Sequence, residues 1–409
     1  MKVVLGLSVA LALAAPLASA QAPADPVAVL VKQLELEKYK ATIKSLTRFG
    51  DRRQGTERNR QALDWIEAQL KSYGCTNTER LQYQFTQPAP GEPAPKRAPG
   101  IPSGGAGGPP GQGGSTLFGN RIPTGVNTDP LRQPDERLRA LNAEQTPVGT
   151  SLRENVYCTK IGTTHPEEMY IVSAHMDGIG FGEAANDDGS GTALVMELAR
   201  IFSMPGVETD RSIRFILWNN EETGLNGAAA YVEQRKNLQG IESPKGSGKY
   251  PEPKWLGMIQ HDMMMYDHGM PIPKIGADGK TYYVSPPEQR LEADVNIEYQ
   301  SVSKQAEGSA RLAWALRAAN DKYATNYPAA VGFHMTNTDS TPFMDLVPSI
   351  SLRENERGQQ IGAGWNPNWH QPTDNYDNYS DKDFLLGLNA AQTTLSGVAQ
   401  LAGARIVKK

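Results

Sequence analysis

Two short runs, Met169 to Ala174 and Ile213 to Trp218, are almost wholly apolar and rich in β-branched and aromatic residues. A strand that is apolar on both sides has to be covered on both faces, which a hairpin sheet with one wet face does not require. Stretches with helical apolar spacing lie between and beyond these runs, over Thr192 to Phe202, Asn226 to Arg235, Ala310 to Lys322 and Asp383 to Leu401. Another opens at Gly55-Thr56-Glu57, continues through Ala62, Leu63, Ile66 and Leu70, and stops at Gly74. Tight hairpin signals are scarce. The pattern predicts an α/β fold, a three-layer sandwich with a central mixed, largely parallel β-sheet and helices on both faces. In such sheets ligands sit beyond the strand ends.

The first twenty residues read as a signal peptide. Lys2 supplies a positive start, Val3 to Leu17 is apolar, and Ala18-Ser19-Ala20 is a small-residue cleavage site, so a mature chain is expected from Gln21. No second apolar run approaches the length of a membrane span, and no stable membrane association is expected. The chain is expected to be exported to the periplasm or the cell exterior. There an oxidising environment bears on the two cysteines, Cys75 and Cys158, each beside a strand-like alternation. They can pair or remain as two thiols. Two cysteines in 409 residues exclude a disulfide framework and a Cys-rich zinc module. With 41 Lys and Arg against 45 Asp and Glu, a basic face for nucleic acid is excluded as well.

Between residues 88 and 114, eight of 27 residues are Pro and nine are Gly, too few apolar groups to offset the entropy of ordering the chain. An irregular, Pro-containing segment continues to about Thr150. The whole, about 86–150, reads as an insertion and as a surface excursion or linker rather than a lid. It interrupts one domain expected over 21–409.

The chemistry lies after the strands. His175-Met176-Asp177 follows the first apolar run, and a ligating imidazole needs its other nitrogen fixed by an acceptor, which a neighbouring Asp can provide. Asn186-Asp187-Asp188-Gly189-Ser190-Gly191 leads into a helix; Asp188 can cap it while Asp187 faces a cleft. Glu221-Glu222 follows the second run, and successive side chains diverge, so one can bind a cation while the other takes a proton from water. Asp262 ends a short apolar run and His370 sits in a Pro-containing loop before Asp374. Of the other histidines, His261 and His268 flank Asp262 and could support a ligand, whereas His165 and His334 read as structural or exposed. Met263, Met264, Met265, Tyr266, Phe333, Trp365 and Trp369 could line an apolar pocket, but such clusters are more often core.

Taken in this order, Ser173-Ala174-His175-Met176-Asp177, Ala185 to Gly191, Glu221 to Gly227, Asp262-Met263 and His370 with Thr373-Asp374 resemble the M28 family of zinc metallopeptidases, the secreted bacterial aminopeptidases in particular. The resemblance implies a zinc-exopeptidase fold and two zinc ions per chain. Asp187 would bridge the ions, His175 and Asp262 would complete one set of ligands, and Glu222 and His370 the other. Glu221 would be the general base, and Asp177 would orient His175. Substrates would be peptides with a free N-terminus. Oligomeric state is open. The alternatives are a related carboxypeptidase or dipeptidase, a glutaminyl cyclase, and a metal-free binding domain of the same fold. Departures from the family pattern are Gly227-Ala228 where Gly-Ser is usual, Asn186 where Asp is common, and Thr338 to Phe343, where a His often follows the Asp.

Overall fold

In the computed structural model, residues 25–75, 77–92, 126–269, 272–279, 281–284, 288–324, 326–333, 335, 338–354 and 366–407 are described. The leader expected at 1–20, most of the Pro/Gly-rich stretch, His334 and Trp365 lie outside them. The helices are α1 (Pro26–Val31), α2 (Leu36–Thr47), α3 (Glu57–Ser72), α4 (Glu136–Leu141), α5 (Gly189–Phe202), α6 (Asn226–Arg235), α7 (Ala306–Tyr323) and α8 (Asp381–Leu401). The strands are β1 (Thr78–Gln87), β2 (Gly149–Lys160), β3 (His165–His175), β4 (Val207–Glu208), β5 (Arg211–Trp218), β6 (Lys254–His261), β7 (Ile272–Ile275), β8 (Thr281–Val284), β9 (Val295–Tyr299), β10 (Ala329–Gly332), β11 (Ser349–Arg353) and β12 (Arg405–Ile406).

Eight strands form one sheet in the order β1-β2-β5-β3-β6-β11-β9-β10. Its centre, β5, β3, β6 and β11, runs parallel. The outer strands β1 and β2 enter antiparallel, as does β9 against β11. This is the mixed, largely parallel sheet the sequence predicts.

Alternation along the central strands explains why both faces are covered. On β5, Ile213, Phe215 and Leu217 join one core with residues of α1, α2, α3, α5, α7 and α8. Ile216 and Trp218 point the other way, into a second core with Tyr231 and Val232 of α6 and with Phe343. On β3, Val172 and Ala174 belong to the first core, and Met169 and Ile171 to the second. Truncating a fully buried residue such as Trp218 to Ala removes packing worth about 3–5 kcal/mol.

Helix ends follow local chemistry. Thr56 caps α3 by accepting the Asn59 N–H, and the chain leaves that helix through Gly74 at φ 88°. Ser380 and Asp383 form a reciprocal capping box on α8. The helices α1 and α2 are not evident in the sequence pattern, and α4 lies within the expected insertion. Cys75 and Cys158 form a disulfide with a Cα separation of 6.0 Å, joining the end of α3 to β2.

Candidate metal centre

Strand register builds the site. Along the parallel centre of the sheet, His175 pairs with Trp218, Ala174 with His261, and His261 with Leu352. The residues that end or follow these strands, His175, Glu221, Glu222, Asp262 and Arg353, therefore emerge at one edge. The turn into α5 brings Asp187 to the same place, and Asp188 caps that helix by accepting the Gly191 N–H at 2.9 Å. Asp188 also accepts the backbone N–H of His175 and of Met263, fastening the helix start to two strand ends.

Asp187 lies between two imidazoles. Its Oδ1 is 3.3 Å from His175 Nε2, and its Oδ2 is 3.1 Å from His370 Nε2. His370 Nε2 is also 2.8 Å from Glu222 Oε2, and His175 Nε2 is 3.8 Å from Asp262 Oδ1. The ligand atoms of His175, Asp187 and Glu222 all lie within 4.8 Å of one another, as do those of His175, Glu221 and Asp262. Glu222 Oε1 is buried yet accepts no hydrogen bond, an arrangement that is costly without a cation. Two imidazoles and carboxylates sharing one bridging acid suit zinc. The residues present therefore fit a pair of divalent ions.

Asp177 supports this set differently from the sequence expectation. His175 Nδ1 donates to the backbone carbonyl of Asp177 at 2.9 Å, which leaves Nε2 for the site. The Asp177 carboxylate instead accepts the backbone N–H of Glu221 at 3.0 Å. The carboxylate reaches the neighbouring loop because that loop, after β5, runs alongside the end of β3. Asp374 performs a similar service for Asp187: its two oxygens take the backbone N–H groups of Asn186 and Asp187 at 2.9 and 3.0 Å.

Among the described residues seven non-glycine residues have positive φ, and Phe181, Ala184, Asn220, Leu225, Met263 and His370 among them stand on loops around the site. Such conformations persist where surrounding contacts over-determine them. The seventh, Arg52, is buried and donates to the carbonyls of Met176, Glu183 and Ala184, pinning the loop after His175. Gly180, at φ 99°, lies so close to His370 that a Cβ there would meet the His370 carbonyl oxygen at 2.5 Å. The residues after the Pro/Gly-rich stretch are bound to the same loops. Asn127 donates its backbone N–H to the His370 carbonyl, Gln133 donates to Phe181 and Pro372, and Asn142 donates to Gly182. This end of the insertion is a fastening of the site, not a free linker.

The electrostatics show a shortage of positive charge. Burial pushes the Glu221 carboxyl well above the usual range; the His175 ring opposes that, and Asp339 and Glu222 reinforce it. Burial likewise raises Glu222 to about 7. Burial alone would lower His370, but the Glu222 and Asp187 carboxylates hold its proton and raise it to about 10. Without metal the cluster keeps protons on its ligands, and a dication would displace them.

All seven residues singled out in the sequence converge: His175, Asp177, Asp187, Glu221, Glu222, Asp262 and His370. His261 turns away, with Nδ1 at the Ser173 carbonyl and Nε2 at the Thr394 hydroxyl. His268 pairs with Asp383 at 2.8 Å, and His165 is exposed beside Glu167. Met263, Met264, Met265 and Tyr266 are core, while Phe333 is exposed. Two further residues, Arg353 and Glu354, escaped the sequence, and Asp339 enters there only as part of the Thr338 to Phe343 stretch, with no role. Arg353 lies 3.1 Å from Asp262 Oδ2, Asp339 is a fully buried carboxylate, and Glu354 joins Asn186, Tyr266 and Asn366. The only signal was a pair of charges closing the run Ser349 to Leu352.

Residues 155–393 match the sequence profile of Peptidase family M28. Carboxypeptidase Q of Xenopus laevis is 35% identical over 89 residues, covering 22% of this chain and 19% of that protein. Aminopeptidase YwaD of Bacillus subtilis (strain 168) is 45% identical over 69 residues, covering 17% of this chain and 14% of that protein. The matched stretches thus span less than a fifth of those relatives. Among solved structures, an aminopeptidase from Aneurinibacillus sp. strain AM-1 superposes with a TM-score of 0.57 at 21% identity, covering 93% of this chain and 97% of that one. That likeness extends across the fold.

Proposed function

Because the chain belongs to peptidase family M28, we propose that it is an exported two-zinc exopeptidase that removes N-terminal residues from peptides. The observation that carries the reading is Asp187, with one carboxylate oxygen toward His175 and the other toward His370. The names of Aminopeptidase YwaD and of the Aneurinibacillus aminopeptidase support action at the N-terminus. In this reading His175, Asp187 and Asp262 would hold one ion, and Asp187, Glu222 and His370 the other.

When bound, the zinc pair lowers the pKa of a water and polarises the scissile carbonyl. The chain's residues do the rest. Glu221 accepts the proton of the attacking water at its carboxylate and passes it to the leaving amine. Asp177 holds the Glu221 backbone in place, and its carbonyl fixes the His175 tautomer. Glu221 itself is buried. Export rests on the leader ending at Ala20, with cleavage before Gln21. Among the described residues no helix is long and apolar enough to cross a membrane.

A C-terminal exopeptidase is the second reading, favoured by the match to Carboxypeptidase Q. The test is to incubate the purified mature chain with free-amine and N-acetylated peptides, with and without a chelator, and to read products by mass spectrometry. Stepwise loss of N-terminal residues from free-amine peptides alone, stopped by the chelator, is the expected result. Loss from the C-terminus would favour the second reading, and loss of ammonia from N-terminal Gln would point to a cyclase.

A further inference from the structure

The two halves of the site have matching donors and unequal support. Each offers one imidazole and one terminal carboxylate beside the shared Asp187. On the His175 side, Asp262 has its oxygens divided: Oδ1 lies 3.8 Å from His175 Nε2, and Oδ2 lies 3.1 Å from Arg353 Nη2. Arg353 is itself buried and faces Glu298 on its other side, 3.7 Å from Nε to Oε2; both contacts are ion pairs without hydrogen bonds, so charge attraction alone holds the row. The strand register imposes this row, since Arg353 ends β11 one residue beyond the Leu352–His261 pair, and Ser351 pairs with Glu298 on β9. On the His370 side, no lysine or arginine among the described residues pairs with Glu222, and its Oε1 accepts no hydrogen bond. His370 stands on an irregular loop at φ 56°, with its side chain 13% exposed against 1% for His175.

We infer that Arg353 is a positioning residue that makes the two metal positions unequal. By taking Oδ2 it fixes the Asp262 carboxylate so that one oxygen is presented to the His175 side. That side is set before metal arrives. A ligand held in its bound geometry loses less freedom on binding, and groups that hold ligands are worth about 10–100-fold in metal affinity. The His370 side must order an unbraced carboxylate and a loop imidazole. The His175 side therefore holds its ion more tightly, and the His370 side exchanges its ion first.

This inference rests on the two-zinc reading, and zinc binding tests both without using activity. Stripped wild-type protein is titrated with zinc against a chromophoric chelator, and bound metal is counted. Two equivalents with separated affinities are expected, and His370→Ala should keep the tighter step. The variant Arg353→Met combined with Glu298→Gln, which removes one charge of each sign and keeps the net charge of the row, should weaken the tighter step about 10–100-fold while the looser step stays within about twofold. The same weakening is expected when the pair is placed in the His370→Ala background. Arg353→Lys, which keeps the cation and a donor, should recover part of the affinity and guards against a variant that fails to fold. A folded variant whose tighter step is unchanged, or whose two steps weaken together, overturns the role of Arg353 while leaving the two-zinc reading intact. Fewer than two equivalents in wild type overturns both.

Discussion

The Asp177 carboxylate accepts the backbone N–H of Glu221 at 3.0 Å, so the residue two positions after His175 holds Glu221, the proposed general base, at a different strand end. Asp177→Ala removes that anchor but not the carbonyl that orients His175. Zinc content should stay at the wild-type level, while kcat falls at least about tenfold because the base loses its position. Asp177→Asn, which keeps an acceptor, should recover most of the rate. Steady-state kinetics beside metal analysis checks this; a parallel loss of zinc would show that Asp177 serves the ligands instead.

Glu221→Gln preserves the size and hydrogen bonding of the side chain and removes its ability to take a proton. Turnover should fall by about 100-fold or more with both zinc ions retained. Full turnover in that variant would remove Glu221 as the base.

His261 supplies a pH dependence of stability. It is fully buried, and burial pushes its imidazole down to about 4, against about 6.5 for an exposed histidine. The neutral ring is the one that folds. Its contribution is full above pH 6.5 and is lost as pH falls toward 4, by up to about 3 kcal/mol. Urea unfolding of the zinc-loaded protein across this range should show a shallower acid slope in His261→Gln than in wild type. Equal slopes would mean that another group governs this window.

The disulfide closes a loop with a sequence separation of 83. Replacing Cys75 and Cys158 together by Ser should cost about 2–5 kcal/mol of stability, measured by denaturant unfolding, and leave kcat unchanged. The bridge lies between α3 and β2, away from the strand ends that carry the site, so a changed kcat would contradict that separation.

The fold and the site were legible to different depths. Strands β3 and β5 announced themselves because apolar runs buried on both faces leave no other solution, and the acids and histidines followed them directly in the chain. The partnership of Asp262 with Arg353 did not, because it depends on β11 lying beside β6, a pairing between residues about ninety positions apart that no local pattern encodes. Asp177 was found for a sound reason, but the atom differed: a side chain can be placed near a histidine by sequence, whereas which oxygen faces it is fixed by the turn. The stretch around Asn127 and Gln133 looked like linker because its work is done by side-chain amides on loop carbonyls, which leave no hydrophobic period to read.

The central claim is that this site cuts peptides from the N-terminus only when it holds metal, and full activity needs two ions. The most direct test titrates zinc into stripped protein while following residue release from a free-amine peptide. No release without metal, a rise to a plateau at two equivalents, and none from the acetylated peptide are expected. Release by the stripped protein, or a plateau reached at one equivalent, would contradict the account.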